Sequence, residues 1–201
     1  IMPSLVGSEM CIRDSKGTVT IVDGLKNAEK LNTISNNPTD KSYLEIPRSY
    51  NEENGVEFTY MGWILIDKWS IRNGKYKHIF HKGNKIVNDT GNDTGNGDFN
   101  IPLLNAPGCY FNKSKNELFV IMNTYDKPGN QSIPSDGNFK DDDVLVMDNI
   151  PINKWFLLTI ILEGQTLKVF NNGYLQKSKQ LKSYPRQNNS PIYINDMDGF
   201  S

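Results

Sequence analysis

The last third of this chain breaks twice in quick succession, and the two breaks leave few architectures open. Residues 155–162 (WFLLTIIL) are apolar or β-branched, residues 163–165 (EGQ) interrupt them, and residues 166–170 (TLKVF) resume the pattern. The second interruption is Asn171, Asn172 and Gly173. An Asn-Gly pair tolerates the positive φ angles of a type I′ turn, whose twist matches that of paired strands. With residues 174–181 as the third arm, the stretch reads as an antiparallel meander.

The same punctuation runs through the chain. Strands are expected at 18–22 (TVTIV), 42–46 (SYLEI), 57–67 (EFTYMGWILID), 77–82 (KHIFHK), 108–111, 117–124 (ELFVIMNT), 143–147 (DVLVM) and 191–195 (PIYIN). Runs of this length bounded by Gly, Pro, Asn and Asp are the strand signal. A single helical turn is expected near residues 28–31. Residues 84–100 and 125–142 are long polar stretches that read as loops. Strand 57–67 carries Phe58, Tyr60, Ile64 and Ile66 on one face and Met61, Trp63 and Leu65 on the other. Two apolar faces imply a central strand whose outer side is covered or lines a groove. Trp63 and Trp155, on the two strongest strands, are expected in the core. About ten short strands and almost no helix give an all-β chain, an antiparallel two-sheet β-sandwich.

Charge and hydropathy exclude some partners. A formal net charge of −1 provides no bulk electrostatic attraction for nucleic acid. No apolar run approaches the roughly 20 residues of a membrane-spanning helix.

Residues 1–15 (IMPSLVGSEMCIRDS) resemble the translation of a sequencing adapter and are expected to be non-native. Without Arg13, Glu9 and Asp14, the 22 basic and 23 acidic residues become 21 of each. Cys109 then has no partner for a disulfide and reads as a small buried apolar residue.

Residues 152–173 (INKWFLLTIILEGQTLKVFNNG) resemble the signature hairpin of laminin-G-like domains of the concanavalin A-like superfamily. Residues 57–67 resemble that family's earlier strand, and 191–200 its closing strand followed by Gly-Phe. The segments KYKHIFHKGN (75–84), NAPGCYF (105–111) and PRQNN (185–189) resemble environmental sequences attributed to large DNA viruses. The resemblance covers residues 16–201 and implies a jelly-roll sandwich. Family members continue past Gly-Phe with one more strand, so it also implies a piece lacking its last strand, with a bare edge beside 18–22 or 191–195.

Glycosidases on this fold carry paired carboxylates on one strand face. Here Glu57, Asp67, Glu117 and Asp143 each stand alone on their strands. His78 and His81, three apart on a strand, should point to opposite faces and share no metal. Calcium, which relatives hold with rim carboxylates, is a cofactor the resemblance allows. Asp136, Asp141, Asp142 and Asp143 are its candidate ligands, with Asp89, Asp93 and Asp98 in the other acidic loop. A sugar site needs exposed aromatics beside hydrogen-bonding groups, and Trp69, Tyr76 and Tyr125 are the candidates. Sequons at Asn88, Asn92, Asn112, Asn130 and Asn188 fit exposed loops.

These features point to a non-catalytic recognition module, glycan-binding or adhesive, at a virion or cell surface. A structural or protein-interaction domain is the alternative, and a glycoside hydrolase a weaker one. An exposed aromatic face with amides around it favours the glycan reading, and a polar face with buried aromatics the other.

Overall fold

The computed structural model describes residues 18–28, 30–47, 49, 51–52, 55–69, 74, 76–85, 104–126 and 143–195. The adapter-like prefix, the Asp89–Asp93–Asp98 loop, Asp136, Asp141, Asp142, the sequons at Asn88, Asn92 and Asn130, and the closing Gly-Phe lie outside them. Among the described residues, eleven strands form two antiparallel sheets, a jelly-roll β-sandwich. One sheet runs β1 (Asn32–Ile34), β11 (Ile192–Ile194), β4 (Lys77–Gly83), β5 (Asn105–Phe111), β6 (Glu117–Ile121), β7 (Val144–Asp148). The other runs β10 (Tyr174–Gln180), β9 (Thr166–Asn171), β8 (Trp155–Glu163), β3 (Gly55–Leu65), β2 (Asn51–Glu52).

The meander forms as read. Asn172 and Gly173 have φ of 50° and 81°, the two positive angles that a type I′ turn requires. The Asn172 side-chain oxygen also accepts from the Leu157 amide at 2.8 Å, tying the turn to β8.

Between the sheets, Phe156, Leu158, Ile160 and Leu162 of β8 meet Cys109 and Phe111 of β5 and Leu118 and Val120 of β6. Cys109 is fully buried, and that burial pushes its thiol pKa up, so it packs as a small apolar side chain.

The two sheets differ on their outer faces. Tyr76, Tyr110, Phe119, Ile121 and Val144 form a second buried cluster on the far side of the six-stranded sheet. The five-stranded sheet is open outside. Trp63 is 53% exposed and Trp155 47%, with Met61 and Leu65 beside them at 41% each. The expectation that both tryptophans are core residues is therefore wrong. Strand alternation gives the inner positions to Phe58, Tyr60 and Ile64 on β3 and to Phe156 and Leu158 on β8. Trp63 and Trp155 have the opposite parity.

Other expectations also change. Residues 18–22 form no strand; β-branched residues extend into strands only where an edge receives them. β1 forms instead from residues 32–34, because they meet β11 in register. Residues 42–46 reduce to one parallel bridge, Ser35 to Tyr43. The turn near residue 28 survives as a single hydrogen bond from the Lys30 amide to the Asn27 carbonyl. β11 pairs on both sides, with β1 and β4, so 191–195 is no bare edge. β3 is not central, because its neighbour β2 pairs only with Gly55 and Val56.

Candidate functional site

After β10 the chain crosses from one sheet to the other through residues 181–191, and this crossing shapes the rim of the sandwich. The segment is irregular yet strapped down. The Tyr125 amide donates to the Tyr184 carbonyl, the Arg186 amide to the Asn123 carbonyl, and the Gly83 amide to the Pro191 carbonyl. Lys82 donates to the Asn188 side-chain oxygen at 3.1 Å, Asn188 donates back to the Lys82 carbonyl, and Asn36 donates to the Asn189 carbonyl at 2.7 Å.

Two cavities of about 360 Å³ each open along this strap. One lies under Tyr125 and Tyr184, with Pro185 and Gln187 beside them and Gly55 and Gly164 below. Both glycines have positive φ, 101° and 58°, and a Cβ on Gly55 would come within 3.7 Å of the Gly164 Cα. The floor is therefore bare backbone that a flat ligand can approach closely. Tyr125 and Tyr184 are 64% and 66% exposed, so their rings stand free at the mouth. The second cavity shares Val56 and Gln187 with the first and is bordered by Asn36, Tyr43, Lys82 and Asn188. Aromatic side chains, amides, Lys82 and Glu45 thus line a rim cleft of two adjoining cavities, each of the size of a small-ligand site.

Of the three aromatic candidates, only Tyr125 is placed to meet a ligand. Trp69 packs edge-on against Phe111 at 5.7 Å, with the Lys77 ammonium 5.0 Å over its ring, and belongs to the core. Tyr76 is 1% exposed within the second cluster. Both had read as strand-end residues free to reach the rim, but a neighbouring sheet position claims each ring. Tyr184 escaped the sequence reading; its place beside PRQNN was the available signal.

Asp143, the described member of the calcium set, is buried, and its carboxylate accepts from the Thr124 hydroxyl at 2.7 Å. Among the described residues no group of three or more His, Cys, Asp or Glu side chains converges as a metal site. Two sequons also lie differently from expectation. Asn112 is buried, donating to Glu117 and accepting from the amides of Ser114 and Lys115, and Asn188 is held by Lys82.

The two histidines meet rather than diverge. A register shift between His78 and Phe80 inserts an extra residue and brings both rings to one face. His78 Nε2 and His81 Nδ1 are 2.8 Å apart, and His81 Nε2 is 2.8 Å from the Asn84 carbonyl. A carbonyl only accepts, so His81 carries its proton on Nε2 and His78 donates from its own Nε2. Burial, then the neighbouring His81, hold the His78 pKa well below the usual histidine range. Burial lowers that of His81 to about 4, against the Asn84 hydrogen bond. Both rings are neutral at pH 7. His81 stacks on Tyr193, and the Tyr110 hydroxyl next to His78 donates to Asn105. All four of these side-chain positions on β4 and β5 are closed to solvent, so the network braces the sheet.

Register also pairs two carboxylates that look isolated in sequence. Glu57 lies directly opposite Glu163 across β3 and β8. Glu163 is engaged by Lys168 at 2.5 Å, and neither glutamate lines the cleft.

No family model matches this chain, and no curated protein matches it. Among solved structures it is similar to the binding domain of Paraclostridial Mosquitocidal Protein 1, at 14% identity and TM-score 0.42, over 81% of this chain and 34% of that one. It is also similar to the botulinum neurotoxin type G receptor binding domain, at 17% identity and TM-score 0.39, over 75% of this chain and 34% of that one. A third likeness is to an endo-β-1,4-glucuronan lyase from the fungus Trichoderma reesei, at 11% identity and TM-score 0.39, over 82% and 67%. The chain spans about a third of the first two of these chains.

Proposed function

We propose that this chain is a non-catalytic glycan-recognition module whose sugar site is the rim cleft between Tyr125 and Tyr184. The observation that carries this reading is the pairing of two free aromatic rings with a glycine floor and a bordering amide, Gln187. A pyranose offers an apolar face for stacking and a rim of hydroxyls for hydrogen bonds, and the cleft supplies both kinds of group. The exposed Trp63–Trp155 face is mainly apolar. Met61, Leu65 and Leu157 stand beside the two rings there, with Thr159 directly opposite Met61 across β3 and β8.

Among the carboxylates of the described residues, Glu45 borders the cleft singly. Glu57 and Glu163, the carboxylates paired across β3 and β8, lie outside it on the open sheet face, with Glu163 occupied by Lys168. Residues 16–201 fit a laminin-G-like domain presented at a cell or virion surface, with residues 1–15 as an adapter-derived prefix. A glycan array probed with the chain, in calcium and in EDTA, tests the function. Binding to a defined set of glycans supports it, and an array without signal in either buffer refutes it. Signal lost in EDTA would assign a cation to the site.

A further inference from the structure

From Thr59 to Leu65, β3 has no partner strand among the described residues on the side away from β8. The hydrogen bonds fix which groups face that side. Gly164 donates to the Val56 carbonyl and Asn153 to the Ile66 carbonyl, so even-numbered residues of β3 bond toward β8. Odd-numbered ones point outward, as the Glu57 amide does in bonding Ser49. The amides and carbonyls of Thr59, Met61, Trp63 and Leu65 thus form an edge that is open among the described residues. Exposed edges are ordinarily guarded by charge or proline, and residues 58–66 contain neither.

Gly62 sits at the middle of this edge. A glycine inside a strand weakens it and commonly marks the close approach of another backbone. Nothing described here requires it, because a Cβ on Gly62 would meet no atom within 4 Å.

We infer that the occupant of this edge is a second copy of the chain, paired antiparallel through β3 with Gly62 opposite Gly62 on a two-fold axis. In that register Met61 faces Trp63 and Thr59 faces Leu65, so every outward backbone group finds its complement. Gly62 then falls at a non-hydrogen-bonded position, where the backbones come closest, about 4.5 Å between Cα atoms. An uncharged strand is self-complementary, since no charge meets its own copy. β2 and Ser49 close the edge only before Thr59, leaving room for the seven residues that pair. The half-exposed Met61 and Trp63 of each copy become covered by those of the other. Two rim clefts then belong to one particle, which raises avidity for a repeating surface ligand.

Sedimentation of the chain across a roughly hundredfold concentration range tests this. The mass should rise from 22.8 kDa toward twice that value. Met61→Lys and Thr59→Lys, both on exposed positions, should remain at 22.8 kDa, with the melting temperature that the wild-type chain has at monomeric concentration. In a Cys11→Ser background, Gly62→Cys should oxidise to a covalent dimer, because the Cα separation lies in the disulfide range. A wild-type chain that stays monomeric throughout overturns the proposal, as does a dimer that both lysine variants retain. Hydrogen exchange separates the remaining occupant. Slow exchange at Thr59, Met61 and Trp63 in a monomer would give the edge to a segment of the same chain, and the inference would fail.

Discussion

The two sheets of this sandwich hide different numbers of faces. In the six-stranded sheet all seven residues of β5 are buried, and β6 alternates between the central core and the second cluster. In the five-stranded sheet, β8 alternates buried and half-exposed along its length, and β3 leaves Trp63 half in solvent. The sequences of β3 and β6 look alike in apolar content, yet one strand is walled in and the other is open. Apolarity on both faces of a strand therefore shows that the outer face has something to cover, without naming what covers it. In β6 the cover is intramolecular. In β3 it is reserved for another chain.

The largest expected effect of this difference is on stability. Phe119→Ala, in the second cluster, should cost about 3–5 kcal/mol, as for any fully buried aromatic. A chemical denaturation curve measures it, and a cost under about 1 kcal/mol would show that the outer cluster is not a true second core.

Next comes acidification, which acts on the two-faced sheet alone. The folded pKa of His81 is about 4 against 6.5 unfolded, so the unfolded chain binds more protons between those values. Stability is level above about pH 6.5 and falls as pH drops toward 4, by on the order of 3 kcal/mol for His81, with His78 adding in the same direction. Melting temperatures between pH 7.5 and 5 should show the decline before most carboxylates titrate. His81→Gln should flatten it.

Smaller still is the effect on the open sheet. Trp155→Ala should cost about 1 kcal/mol at concentrations where the chain is monomeric, well below the cost of a buried aromatic. A loss as large as that of Phe119→Ala would place the ring in a core. Least of all, Tyr184→Ala should leave stability within about 0.5 kcal/mol, since its ring stands at the mouth of a cleft and braces nothing.

Much of the fold was legible because its signals are local. The Asn172–Gly173 turn, the alternation of β8 and the burial of Cys109 follow from backbone geometry and side-chain character at each position. What escaped depends on neighbours. Thr18–Val22 has the composition of a strand but no edge to join, whereas Asn32–Ile34 has a poor composition and finds β11. His78 and His81 meet because one extra residue shifts the parity of β4, which no spacing rule reveals. Trp63 and Trp155 were assigned by size, although parity decides the face. The candidate site shows the same division. Tyr125 was readable as a loop aromatic, but Tyr184, Gln187 and the glycine floor are brought to it by pairing between Thr124 and Pro185 and by two turns far apart in sequence.

The central claim is that recognition belongs to the rim and not to the open aromatic face. A glycan array run side by side with wild type, Tyr125→Ala/Tyr184→Ala and Trp63→Ala/Trp155→Ala tests it directly. The account predicts that the tryptophan variant binds the same glycans as wild type at matched monomer concentration, and that the tyrosine variant loses at least about tenfold in signal, equivalent to about 1.4 kcal/mol. Retained binding in the tyrosine variant together with loss in the tryptophan variant would contradict it and move the sugar site to the outer face of β3 and β8.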